Sequence, residues 1–100
     1  MKIEFSTEAM KDMRQVFDYI SDELFDPAAA EKIIKRIFDR IEDLKEFPSS
    51  GKMFIDQDDN VTKYRYITTS KKWIVFYEAS DELLIVHRVV GAGQDYINYL

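Results

Sequence analysis

Two successive runs, WIVFYEA (residues 73–79) and LLIVHRVV (residues 83–90), are apolar at almost every position and are separated only by Ser80, Asp81 and Glu82. Neighbouring side chains of a strand point to opposite faces, so a strand that is apolar at both parities needs cover on both sides. A three-residue polar connector permits only an antiparallel hairpin. This chain therefore cannot fold as a sheet with one wet face. Other segments must supply the cover.

The first half of the sequence has the pattern of two covering helices. Ile3 and Phe5 alternate with Lys2 and Glu4, which predicts a short half-buried strand ending at Ser6. Ser6 or Thr7 can cap a helix with Glu8 in its first turn. Ala9, Met13, Val16, Phe17, Ile20 and Leu24 follow at spacings of three and four, giving that helix one apolar stripe and one charged face. Asp26 before Pro27 marks a second helix start, since aspartate accepts from free backbone amides and proline is tolerated at the first helical position. Its apolar face runs through Ala29, Ala30, Ile33, Ile34, Ile37, Phe38, Ile41 and Leu44 to about Phe47, where Pro48 forbids continuation. At ~1.5 Å per residue this second helix is about 30 Å long.

Residues 48–60, PSSGKMFIDQDDN, form the one extended loop-like stretch. Strand patterns follow at residues 64–69, 73–79 and 83–90, the first pair separated by Ser70, Lys71 and Lys72. The expectation is an α+β fold in a single domain of residues 1–100: an N-terminal strand, a long helical hairpin, then a three-stranded antiparallel meander. With 46% apolar and 14% aromatic residues, the chain can close one core. It contains no cysteine, which removes disulfides and thiolate metal sites and suits a reducing compartment. The opening MKIEFS lacks the apolar core of a signal peptide, and no run approaches the roughly 20 apolar residues of a membrane span. A cytoplasmic protein with no membrane partner is expected.

Charge restricts the partners further. A net charge of −5 argues against strong direct DNA binding, because phosphates are gripped by lysine and arginine. Residues 1–60 carry 9 basic and 15 acidic side chains, whereas residues 61–100 carry 5 and 4, so an anionic ligand would bind the second part. The acidic run from Asp56 to Asn60 resembles the opening of a calcium loop, but the places for its glycine and its glutamate hold Val61 and Ile67. One histidine and no cysteine make a zinc site equally unfavoured, and no serine sits in a glycine elbow. No metal and no cofactor are expected.

What remains is a cationic and aromatic set: Lys63, Arg65, Lys71, Lys72, His87 and Arg88, with Tyr64, Tyr66, Trp73, Tyr96 and Tyr99 among them. Such groups can hold phosphate and stack bases, and they can equally be the solvated and half-buried side chains of an ordinary sheet. Strict alternation puts His87 with Leu83, Ile85 and Val89, and Arg88 with Leu84, Val86 and Val90, leaving open which set meets the helices.

In this order and at this spacing, IEFSTEAMKDMRQVFDYI (residues 3–20), DPAAAEKIIKRIFDRIEDLKEFPSSG (26–51), YRYI (64–67), WIVFYEASDELLIVHRVV (73–90) and QDY (94–96) resemble the RelE/ParE superfamily of toxins from bacterial type II toxin-antitoxin systems. The resemblance covers essentially the whole chain. It implies a cognate antitoxin partner and one of two activities. RelE-like members look like ribosome-dependent, metal-free messenger-RNA endoribonucleases, whereas ParE-like members poison DNA gyrase. The helical hairpin with Pro27, Ala28 and Ala29 after its turn is more similar to the ParE side. On the RelE-like reading, with the ribosome and mRNA as partners, the catalytic residues would be Arg65, His87, Arg88 and Tyr96. The cation that many relatives hold in the third strand falls near Ile74, and the aromatic and basic positions after Val90 are Gly91, Ala92, Gly93 and Gln94. The departures favour a toxin that binds its target, such as DNA gyrase, through Arg65, Lys72, Arg88, Asp95 and Tyr96, with an attenuated, non-toxic member as a further alternative.

Overall fold

In the computed structural model, which describes residues 1–69 and 72–92, the order is β1 (Lys2–Phe5), α1 (Thr7–Leu24), α2 (Pro27–Asp43), β2 (Lys52–Ile55), β3 (Val61–Thr69), β4 (Trp73–Ala79) and β5 (Leu83–Gly91). The strands form one sheet in the order β1-β5-β4-β3-β2, with β1 parallel to β5 and the other pairs antiparallel. The α+β class and the helical hairpin are as expected.

Both helix starts are chemically explicit. Ser6 Oγ accepts from the Ala9 amide (3.0 Å), and Asp26 accepts from the amides of Ala28 (3.1 Å) and Ala29 (3.3 Å). One stripe of the hairpin, including Ala9, Met13, Val16, Ile20, Ala30, Ile37, Ile41 and Leu44, packs with Ile67, Val75, Tyr77, Leu84, Val86 and Val89 of the sheet. By alternation along β4, Ile74 and Phe76 point the other way, where they form a second apolar cluster with Phe54, Val90, Tyr64 and Tyr66. Both faces of β4 are thus covered, as its composition requires.

Three boundaries differ from the expectation. The stretch 48–60 contains a strand, β2, so four strands rather than three follow the helices. Only Phe54 of β2 is buried, too short a pattern for alternation to stand out. β3 starts at Val61 rather than Tyr64, directly after the acidic run, which is the β2–β3 turn: Asp56 Oδ1 accepts from the amides of Asp58 and Asn60, both at 2.9 Å, and Asp59 has a φ of 62°. The third difference is the end of α2, at Asp43 rather than near Phe47, with turns over residues 44–46 carrying the chain to Pro48.

The strict alternation assumed for the last strand fails at one place. Phe76 pairs with Arg88 and Tyr77 with Val86, which leaves His87 as an extra residue, a β-bulge. Leu84 and Val86 face the helices before it and Val89 does so after it, while Val90 joins the opposite cluster. Neither of the two expected sets therefore survives intact.

Candidate target-binding site

The bulge is built by α1 as much as by β5. Ser6 Oγ donates to His87 O (2.7 Å), so one serine caps a helix and binds the bulged strand. Nearly two turns further, Asp12 accepts from Arg88 Nε (2.7 Å) and Nη2 (2.9 Å) and from the Val89 amide (2.9 Å). A carboxylate on the apolar stripe of a helix, 6% exposed, is tolerable only with such partners. The signal for it was in the sequence, because Asp12 lies between Ala9, Met13 and Val16 on the stripe itself. Sequence reasoning passed over it for want of a visible partner.

His87 turns to the helix-free side. Its Nε2 lies 2.7 Å from Glu78 Oε1, its ring meets the Tyr64 ring edge-on at 5.0 Å, and Lys63 Nζ is 3.7 Å from the same carboxylate oxygen. Lys63 also stands over the Tyr64 ring, 5.4 Å from its centre. Arg65 serves another element: its Nη1 donates to Gly51 O (3.0 Å) and, more loosely, to Ser49 O (3.4 Å). The Tyr77 hydroxyl fastens the same connector, donating to Pro48 O (2.7 Å) and accepting from the Gly51 amide (3.0 Å). A Cβ on residue 51 would lie 2.5 Å from that hydroxyl oxygen and 3.0 Å from Tyr66 O, so the close approach requires glycine. Burial raises the Tyr77 phenol above its usual pKa of 10.0, against the Gly51 hydrogen bond and the Arg65 and Arg40 charges, which pull it down.

Lys72 is exposed in the β3–β4 turn, with its backbone bonded to Thr69 O (3.1 Å) and the Ala92 amide (2.7 Å). Trp73 beside it meets Tyr19 of α1 edge-on at 6.3 Å. The expected contributions of Lys71, Asp95, Tyr96 and Tyr99 lie outside the described residues. Among the described residues, then, Arg65 bonds to Gly51, His87 to Glu78 and Arg88 to Asp12. Ile74, where a strand cation was looked for, belongs to the second apolar cluster. Metal-free RNA cleavage needs a base, a phosphate-stabilising cation and an acid in one place. His87 with Glu78 makes a base and its orienting group, but two of the Arg88 donors are occupied by Asp12.

The family model described as "ParE toxin of type II toxin-antitoxin system, parDE" matches residues 3–96. Among solved structures, a chain of the chromosomal ParDE toxin-antitoxin system from P. aeruginosa superposes with a TM-score of 0.72 at 16% identity, covering 91% of this chain and 95% of that one. YafQ from E. coli strain BL21(DE3) superposes with a TM-score of 0.50 at 21% identity, covering 91% and 92% respectively. No match was found among curated protein sequences.

Proposed function

This chain belongs to the ParE toxin family of type II toxin-antitoxin systems, and we propose that it arrests growth by binding a cytoplasmic target such as DNA gyrase and is neutralised by a cognate antitoxin. The observation that carries this reading is the engagement of Arg88 by Asp12 and the Val89 amide. A guanidinium held two-pronged by a buried carboxylate is fixed in direction, and releasing it would leave that carboxylate without a counter-charge at a cost of roughly 3–5 kcal/mol. Such a group supports a surface better than it follows a reacting phosphate. Arg65, spent on the carbonyls before β2, points the same way. We assign the exposed Lys72 to the target interface, with Arg65 and Arg88 holding the neighbouring backbone in shape.

Adding the purified chain to purified gyrase in a supercoiling assay tests the reading. Loss of supercoiling near stoichiometric toxin is expected. Unimpaired supercoiling at a large molar excess would remove gyrase as the target.

A further inference from the structure

The connection between the helices breaks two local rules at one place. Phe25 caps the end of α1 in the left-handed conformation, at φ 51° and ψ 32°, where glycine or asparagine is favoured and a bulky residue is an outlier. Phe25 is 91% exposed, and Leu24 beside it is 50% exposed. The last turn of α1, where a cation would complement the helix dipole, contains no basic residue and instead holds Asp22 and Glu23. All seven residues from 22 to 28 are exposed, and four of them, Leu24, Phe25, Pro27 and Ala28, are apolar. From residue 15 to residue 31 there is no lysine or arginine, against Asp18, Asp22, Glu23, Asp26 and Glu31. Departures from local stability of this kind concentrate where a chain presents something.

Contacts along α1 fix where this tip projects. Ser6 bonds to His87, Asp12 to Val89, and Tyr19 meets Trp73, so α1 runs with β5 toward the β3–β4 turn. Phe25, six residues past Tyr19, stands about 9 Å further on. The tip, the half-exposed Tyr19 and Lys72 thus lie at one end of the molecule.

We propose that the hairpin tip is an anchor for the toxin's target, fitting a protein surface with an apolar pocket for Phe25 and Leu24 and a rim of lysine or arginine facing Asp22, Glu23 and Asp26. This rests on the reading of the chain as a toxin that acts by binding. Charge complementarity selects the partner: an apolar knob flanked by Asp22, Glu23 and Asp26 is attracted by a basic rim and repelled by an acidic one. Aromatic anchors in such pockets carry a large share of interface affinity.

The test is growth inhibition on graded induction of the full chain, with thermal melting of each purified variant. Phe25→Gly removes the anchor and places glycine in the left-handed position. Asp22→Lys with Glu23→Lys reverses the field and puts cations at the helix end. Both changes are expected to hold or raise Tm, so loss of action cannot be ascribed to misfolding. The inducer dose for half-inhibition should rise at least about tenfold for each, while Phe25→Trp stays near the unsubstituted chain. Undiminished inhibition by both variants would overturn the tip as an anchor. Undiminished inhibition that a co-expressed antitoxin no longer relieves would give the tip to the antitoxin instead. A harmless unsubstituted chain would overturn the toxin reading itself, and this assignment with it.

Discussion

Tyr77 illustrates how much one side chain can settle. It is fully buried in a sheet face covered by helices, and its hydroxyl makes the two hydrogen bonds that pin the connector before β2. Tyr77→Phe leaves Pro48 O and the Gly51 amide short of a partner and should destabilise the fold by about 2 kcal/mol at neutral pH, read by urea melts. The pH dependence has a defined sign. The folded phenol holds its proton above the usual 10.0, so its contribution is complete below pH 10.0 and is lost as pH rises from there through the folded value. The gap between the two proteins should therefore narrow above pH 10.0. A constant gap would mean that the phenol is not perturbed.

The bulged strand and the helix beside it stand or fall together. Asp12 accepts three hydrogen bonds from 76 and 77 residues along the chain, two from the Arg88 guanidinium and one from the Val89 amide. Asp12→Ala takes the buried carboxylate away from the Arg88 guanidinium and the Val89 amide, so a loss of about 3 kcal/mol and a Tm lower by more than about 10 °C are expected from melting curves. A change within a few tenths of a kcal/mol would show that water serves as well as the carboxylate. The same element marks the limit of reading a sequence. Ser6 and Asp26–Pro27 were legible because caps are local chemistry, and the hairpin because its apolar stripe repeats over many turns. The bulge was not, because an inserted residue shifts the parity of everything after it without altering composition. Strand β2 escaped for a related reason: a four-residue strand with one buried side chain has no period to detect. Of the candidate site, the residue types were legible and the partners were not. Arg65, His87 and Arg88 stand out as basic residues, while what fixes their surroundings is Gly51, Glu78 and Asp12, at 14, 9 and 76 residues' separation.

At the scale of the whole molecule, the sheet edges and the hairpin tip differ in what they expose. β2 ends the sheet with four residues, a register shift between Met53 and Ile55, and Lys52, while β1 at the other edge alternates Lys2 and Glu4 with its inward residues. Short, irregular and charged edges resist pairing with other strands. The hairpin tip, in contrast, carries its apolar groups outward. On the proposed reading, Arg65 and Arg88 hold the fold while the exposed Lys72 and the hairpin tip face the target. The most direct measurement is pulse-labelling of DNA and protein synthesis in bacteria during the first minutes after inducing this chain without an antitoxin. Binding to a target such as gyrase predicts an early fall in DNA synthesis with protein synthesis following later; an early, isolated fall in protein synthesis would contradict it and make the chain a ribosome-dependent nuclease.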